Sequence, residues 1–253
     1  MNQEQTAGLG SNALQYSQAL TEEEEKLEFK WADQKIRLLI RTLQRLPDLQ
    51  RVADFGCRTG GQAAYYKAQA GIKEMHGFEI SDVPLEIARQ RGIVTHQWIS
   101  GSSPCPVESD FFSVVIAGDL IEHLMDTDAF LVELYRILRP NGYLLITTPN
   151  LAWWWSRFRF LFGKVPGGMG SVSFKHSKDR AVDKNHLRVS VNSEWLHLFK
   201  QHGFDLISVT GYNYPSLLRE PLNTLDRFLT RYPDIAHSNL FLLRKPDASS
   251  IDS

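Results

Sequence analysis

The sequence predicts an α/β fold, a doubly wound parallel sheet with helices on both faces. Three observations lead there. Short apolar runs alternate with helical patterns across residues 50–148. The first run ends in a glycine-flanked turn, Asp54-Phe55-Gly56-Cys57-Arg58-Thr59-Gly60-Gly61, that opens into a helical pattern. The second ends in another carboxylate, Glu79, 79 − 54 = 25 residues after Asp54. That is close to the roughly 20-residue offset at which a carboxylate meets ribose hydroxyls in βαβ units.

The elements follow in order. Residues 1–20 show little periodicity and are expected to form a loose arm. Thr21, followed by glutamates at 22–25, reads as a helix N-cap with acids in the first turn. An apolar stripe through Leu27, Trp31, Ile36, Leu39, Leu43 and Leu46 carries that helix to Pro47. Strands are expected at 50–55, 74–79, 93–98, 112–118 and 142–148, and helices at 61–70, 83–91 and 126–138. Pro140-Asn141-Gly142 reads as the turn between the last helix and strand of this set.

Residues 150–190 break the rhythm. Trp153, Trp154, Trp155, Phe158, Phe160 and Phe162 crowd one segment, and Gly167, Gly168, Gly170 and a polar basic stretch at 175–184 follow. A lid over an acceptor pocket walled by Trp153, Trp154, Trp155, Phe158 and Phe162 fits, and so does a helix packing its aromatics on the core. A helix at 192–202 with Asn192 as its cap, a strand at 204–210, a helical pattern at 215–232 and a strand at 239–244 complete the chain. The expected organisation is one domain over 21–246, with insertions at 150–190 and 212–237 and a polar tail at 247–253.

Bulk properties exclude several classes. The 253 residues carry 43% hydrophobic and 23% charged side chains, and the net charge is −1. No basic field is available to gather nucleic acid. Cys57 and Cys105 make no disulfide framework, and no paired zinc spacing is present. Residues 1–26 lack the apolar core of a signal peptide, and no apolar run is long enough to span a bilayer. A cytoplasmic location is the default expectation.

The turn narrows the ligand. A dinucleotide fingerprint needs glycine at 56, 58 and 61, the middle one for close approach of the pyrophosphate. Position 58 is Arg58, and Asp54 at the strand tip repels phosphate while suiting a cation. A ligand with adenine, ribose, an ammonium and a sulfonium but no phosphate fits both facts, which describes S-adenosylmethionine. A generic βα turn plus a surface glutamate is the alternative.

These residues carry a resemblance. The segments are residues 52–60, 77–81, 112–124 and 138–150, then His186-Leu187-Arg188 and Gly203-Phe204. In this order the chain, over about residues 28–245, resembles the class I S-adenosylmethionine-dependent methyltransferases. It looks closest to the small-molecule O-methyltransferases that include ubiquinone-biosynthesis enzymes. The resemblance implies a Rossmann-like sheet of seven strands with the last antiparallel. It implies that Asp54, Gly56, Cys57, Arg58 and Gly60 surround the methionine part of the cofactor. Glu79 would take the ribose hydroxyls, Ile80 would cover the adenine, and Ala117, Gly118 and Asp119 would close the methionine side. Arg58 departs from the family pattern, as do Ser113 in place of aspartate and the loop Ile99-Ser100-Gly101, which lacks the usual acid and leaves the adenine to backbone groups or Trp98.

Chemistry is expected at the rim after the fourth strand. A hydroxyl acceptor needs a base, and histidine suits neutral pH. His123 and His186 are the candidates by position, while His76, His96, His197 and His202 read as core or surface residues. Asp119, Glu122 and His123 form a D-x-x-E-H cluster, with Asp119 one helical turn from the other two if the segment winds. A similar cluster in ubiquinone-type relatives is associated with a divalent metal, and oxygen ligands would suit Mg²⁺. The preferred reading is that Glu122 and His123 fix the loop by hydrogen bonds, so no metal ligand is assigned. The expected partner is a small-molecule acceptor, with neither nucleic acid nor a membrane span, and the oligomeric state is open. Methylation of nitrogen, protein or nucleic acid is the runner-up, followed by a non-catalytic binding protein on a degenerate fold.

Overall fold

The computed structural model describes residues 23, 26, 29, 30, 32–169, 186–214 and 218–247. The expected arm at 1–20, the Thr21 cap, the basic stretch at 175–184 and most of the tail lie outside them. Seven strands form one sheet: β1 Arg51–Phe55, β2 Glu74–Glu79, β3 Val94–Gln97, β4 Phe112–Gly118, β5 Leu138–Pro149, β6 Asp205–Tyr212 and β7 Ser238–Arg244. The helices are α1 Asp33–Leu43, α2 Gly61–Ala70, α3 Asp82–Gln90, α4 Thr127–Ile137, α5 Trp154–Leu161, α6 Asn192–Gln201 and α7 Leu222–Leu229. Single 3-10 turns cover Ile121–His123 and Pro233–Ile235.

The strand order is β3-β2-β1-β4-β5-β7-β6. Pairing is parallel from β3 through β5, and β7 runs antiparallel to both neighbours. Successive side chains in a strand point to opposite faces, and this sheet is covered on both. Ala53, Val115, Ala117 and Ile146 pack on one side with Phe130, Leu134, Trp195 and Phe199 of α4 and α6. Val52, Val114, Ile116 and Leu145 pack on the other with Ile36, Leu39, Tyr66 and Ala88 of α1, α2 and α3. The order reverses between β1, whose outgoing helix leads to β2, and β4 on its other side. Such a switch leaves a crevice at the carboxyl ends of these strands.

Local chemistry departs from the sequence expectation in three places. Pro140-Asn141-Gly142 does not separate helix from strand, because β5 already begins at Leu138 beside Phe112. Asn141 takes a positive φ of 61° inside the strand, and the ladder shifts register between Phe112 and Val114. Asn192 is not the cap of α6; Val191 holds that position. The Asn192 amide instead donates to Asp234 and its oxygen accepts from Asn239. Trp98 is buried against Phe55 and Phe130 with its indole N–H donated to the Ser103 carbonyl, so its ring serves the core rather than an adenine. Among the described residues no helix is long and apolar enough to cross a membrane.

Candidate functional site

The turn after β1 is held by backbone geometry. Gly56, Arg58 and Gly60 all have positive φ, at 76°, 51° and 75°. The amides of Gly56 and Cys57 donate to the Phe78 carbonyl on β2 (2.9 and 3.2 Å). Gly60 is required twice over, since a Cβ there would lie 2.8 Å from the Ala88 Cβ and its φ disfavours any side chain. Cys57 tucks its thiol against Gly77, where a Cβ would come within 2.6 Å of the sulfur. Burial raises that thiol out of the reactive range, and Asp54 and Glu79 push the same way.

The two strand-tip carboxylates meet in this turn. Glu79 accepts from the amides of Arg58 (3.2 Å) and Ile80 (2.7 Å). Its pKa is raised by burial against the pull of those amides. Asp54 is buried and accepts no hydrogen bond from the described residues. Burial lifts its pKa to about 7, with Glu79 adding to the rise and Lys35 opposing it. A buried carboxylate without donors is costly as an anion and calls for a cation. That fits an ammonium-bearing ligand such as S-adenosylmethionine. Ile80 lies half-buried beside Glu79, and its carbonyl accepts from Gln97.

A second cluster forms beyond β4. Ala117 is buried within the strand, and Gly118 leaves room beside Thr147 Oγ1 and Lys35 Nζ. Asp119 sits at φ 50°, its amide bonded to the carbonyl and hydroxyl of Thr147. Its carboxylate accepts from Lys35 Nζ (2.8 Å), Thr147 Oγ1 (2.8 Å), Tyr212 Oη (3.0 Å) and Tyr214 Oη. Burial alone would raise the Asp119 pKa, but Lys35 and these hydroxyls hold it well below the usual carboxylate range. Lys35 is buried too, and its pKa ends raised because Asp119 outweighs the burial.

The expected D-x-x-E-H grouping therefore divides. Asp119 turns toward Lys35, while the 3-10 turn Ile121–His123 carries Glu122 and His123 toward His186. The His123 and His186 rings lie 4.8 Å apart at 63°. His186 Nδ1 faces the Gly168 carbonyl, so it must donate there, and Nε2 lies on the Glu122 side of the ring. Glu122 is fully buried, neither carboxyl oxygen has a hydrogen-bond partner among the described residues, and Oε1 stands 4.0 Å from His186 Nε2. Burial, reinforced by Asp119, raises its pKa well above the carboxylate range. The expectation that Glu122 fixes the loop through its side chain is overturned. Its backbone carbonyl does that instead, accepting from Leu187 and Arg188 (2.8 and 2.9 Å). Without Asp119, the oxygen-rich Mg²⁺ set is not formed. Glu122, His123 and His186 place ligand atoms within 4.8 Å of one another, one oxygen and two nitrogens. Such a set suits a borderline cation such as Zn²⁺ better than Mg²⁺.

Sequence reasoning missed Lys35, Tyr212 and Tyr214. Lys35 carried a signal: it stands four and eight residues before Leu39 and Leu43, on the apolar stripe, where a charge needs a reason. The tyrosines carried a weaker one, being two residues apart at the end of a strand and so on one side of it. The aromatic insertion divides between buried and exposed residues. Trp153 is buried and donates to Asp226, whereas Phe158 and Phe162 are exposed.

A sheet of this order, with carboxylates at the tips of β1 and β2, defines the Rossmann-like architecture of class I methyltransferases. Solved structures share it. One from Thermotoga maritima, described as a possible histamine N-methyltransferase, has a TM-score of 0.60 at 21% identity, covering 88% of this chain and 95% of that one. An S-adenosylmethionine-dependent methyltransferase from Mesorhizobium loti has a TM-score of 0.54 at 16% identity, covering 82% and 96%. The chain belongs to the methyltransferase domain family, whose profile matches residues 25–209. Curated relatives are distant. The ubiquinone biosynthesis O-methyltransferase of Hahella chejuensis is 26% identical over 68% of this chain and 69% of its own length. The malonyl-[acyl-carrier protein] O-methyltransferase of Serratia marcescens is 25% identical over 39% of this chain and 38% of its own. Phosphoethanolamine N-methyltransferase 2 of Caenorhabditis elegans is 28% identical over 43% and 26%. The matched part spans little more than a third of the Serratia relative and about a quarter of the Caenorhabditis one.

Proposed function

We propose that this methyltransferase acts on a hydroxyl of a small molecule, with His186 as the base and His123 beside it positioning the acceptor. The observation that carries the reading is the orientation of His186, with Nδ1 on the Gly168 carbonyl and Nε2 set 4.0 Å from the buried Glu122 and beside His123. Bound S-adenosylmethionine supplies an activated methyl group on a sulfonium, so the protein's part is positioning, desolvation and removal of a proton. Asp54 neutralises the ligand's ammonium, Glu79 accepts from the ribose hydroxyls, and the turn 56–60 lies against the methionine part, with Ile80 covering the adenine. Ala117, Gly118 and Asp119 bound the methionine side. His186 Nε2 takes the hydroxyl proton as the oxygen attacks in line.

A hydroxyl acceptor explains the paired histidines, because a neutral amine can attack a sulfonium without losing a proton first. Two of the relatives named above are O-methyltransferases and one is an N-methyltransferase. Radiolabelled methyl transfer to a panel of phenols, sugars, carboxylates and amines tests the reading. Hydroxyl turnover that His186→Ala abolishes, at unchanged cofactor affinity, supports it. Turnover confined to amines and indifferent to His186 overturns it. Absence of saturable S-adenosylmethionine binding by calorimetry would remove the assigned cofactor site as well.

A further inference from the structure

We propose that the outer side of α5 and its neighbour α7 docks this protein on the surface of an anionic lipid bilayer. Each helix buries a polar residue and exposes large apolar ones, while Trp154, Trp155, Leu222 and Leu229 are half-buried. The one buried residue of α5 is Ser156, and the one buried residue of α7 is Asp226. Several large apolar side chains face outward: Phe160 is 69% exposed, Leu161 81% and Phe228 50%. A helix normally buries its apolar stripe and shows its charges to water. An exposed apolar patch rimmed by polar residues marks an interaction site.

The two helices form one unit. Asp226 Oδ1 accepts from the indole N–H groups of Trp153 (2.6 Å) and Trp154 (2.8 Å) at the start of α5, and Oδ2 accepts from Asn213 (2.9 Å). The carboxylate that an amphipathic helix would show to solvent is the joint between them. This anchoring leaves Phe160 and Leu161 projecting from α5 and Phe228 from α7.

Charge identifies the occupant. Residues 151–169 contain Arg157, Arg159 and Lys164 and no acidic residue. The only acid in α7 is the buried Asp226, and Arg231 just beyond lays its guanidinium over the Phe228 ring at 4.1 Å. Exposed Glu220 just before the start of α7 is met by Arg227 at 3.8 Å, and exposed Asp234 lies beyond its end, so Arg157, Arg159, Lys164 and Arg231 leave the rim net basic, which matches an interface of acyl chains beneath anionic headgroups. The long basic side chains can lie along the apolar surface with their charge at headgroup level. Docking of this kind needs no membrane-spanning helix. It is independent of the acceptor proposed above.

Co-sedimentation of the full chain with vesicles tests it, using phosphatidylcholine alone and phosphatidylcholine mixed with phosphatidylglycerol. The protein is expected to bind the mixed vesicles, more weakly as salt rises, and to leave the neutral ones largely free. The double variant Phe160→Asp/Leu161→Asp is expected to lose binding by about tenfold or more, since it removes the inserting tips and reverses local charge. Its circular dichroism and S-adenosylmethionine affinity should match the parent, because neither side chain is buried. No binding of the parent to mixed vesicles at low salt overturns the proposal, as does equal binding by the double variant. So does a parent dimer that the double variant dissociates while neither binds vesicles, which would make this side an interface between copies.

Discussion

The turn that follows β1 and the rim that follows β4 are built by opposite means. The first is local: residues 54–60 and 77–80 supply the carboxylates, amides and glycines, and adjacent parallel strands bring them together. The second is assembled from distant parts of the chain. Lys35 comes from α1, Asp119, Glu122 and His123 from the β4 exit, Thr147 from β5, His186 from the end of the insertion, and Tyr212 and Tyr214 from the end of β6. The cofactor site proposed at the turn would be written in a short contiguous code. The acceptor site proposed at the rim would be shaped by whichever segments the sheet delivers to its edge.

Substitutions at the rim should therefore divide into chemical and structural effects, and those at the turn should read out in cofactor affinity. The largest effect is expected from His186→Ala, which should lower kcat by about 10²–10⁴-fold, the range of a lost general base. S-adenosylmethionine affinity measured by calorimetry should stay constant. A parallel loss of affinity would merge the two regions. Asp119→Ala strands the buried Lys35 ammonium and should cost about 3–5 kcal/mol in urea denaturation. Lys35→Met combined with Asp119→Leu should recover much of that loss, which distinguishes an unpaired charge from a collapsed loop. Glu79→Ala is expected to weaken S-adenosylmethionine binding by about ten- to a hundredfold, as one or two hydrogen bonds to a charged group disappear. Its denaturation midpoint should move little compared with that of Asp119→Ala.

The smallest effect concerns pH. In the free protein Asp54 is protonated below about 7. That value lies above the roughly 3.9 of an unfolded aspartate, so its contribution to stability is fully present below about 4 and is lost as pH rises through about 7. A bound ammonium favours the ionised form. Cofactor affinity should thus fall by about tenfold from pH 8 to pH 6, with proton release on binding in the lower part of that range. Asp54→Asn should flatten the profile. A flat profile in the parent would show that the ammonium is not held at Asp54.

The same contrast explains what could be read in advance. The placement of Asp54, Gly60 and Glu79 at the strand tips and turn was legible because strand, turn and strand are consecutive in sequence and the steric demand at Gly60 is local. The strand limits were legible for the same reason, with β2, β4 and α2 matching to the residue. Asp119 was found by position but given the wrong neighbours, since the partner that turns it away, Lys35, lies 84 residues earlier. His123 and His186 were each singled out, yet their proximity depends on how the insertion returns to the rim, which no local pattern encodes. Pro140-Asn141-Gly142 misled for a related reason. A strong turn signal was absorbed as an irregularity inside β5, where the Asn141 amide is still paired, to the Lys245 carbonyl.

The position of β7 has a consequence for synthesis. It is the last of the described strands in the chain but an interior strand of the sheet, hydrogen-bonded to β5 on one side and β6 on the other. As the polypeptide leaves the ribosome, β6 emerges before its sheet partner exists, with Leu206 and Ile207 on a strand whose N–H and C=O groups are unmatched. The parallel half, β3 through β5, can order first, while an open edge of β5 waits for residues 238–244. Until that segment arrives, the nascent chain presents two unsatisfied edges, the state most exposed to pairing with a second nascent chain.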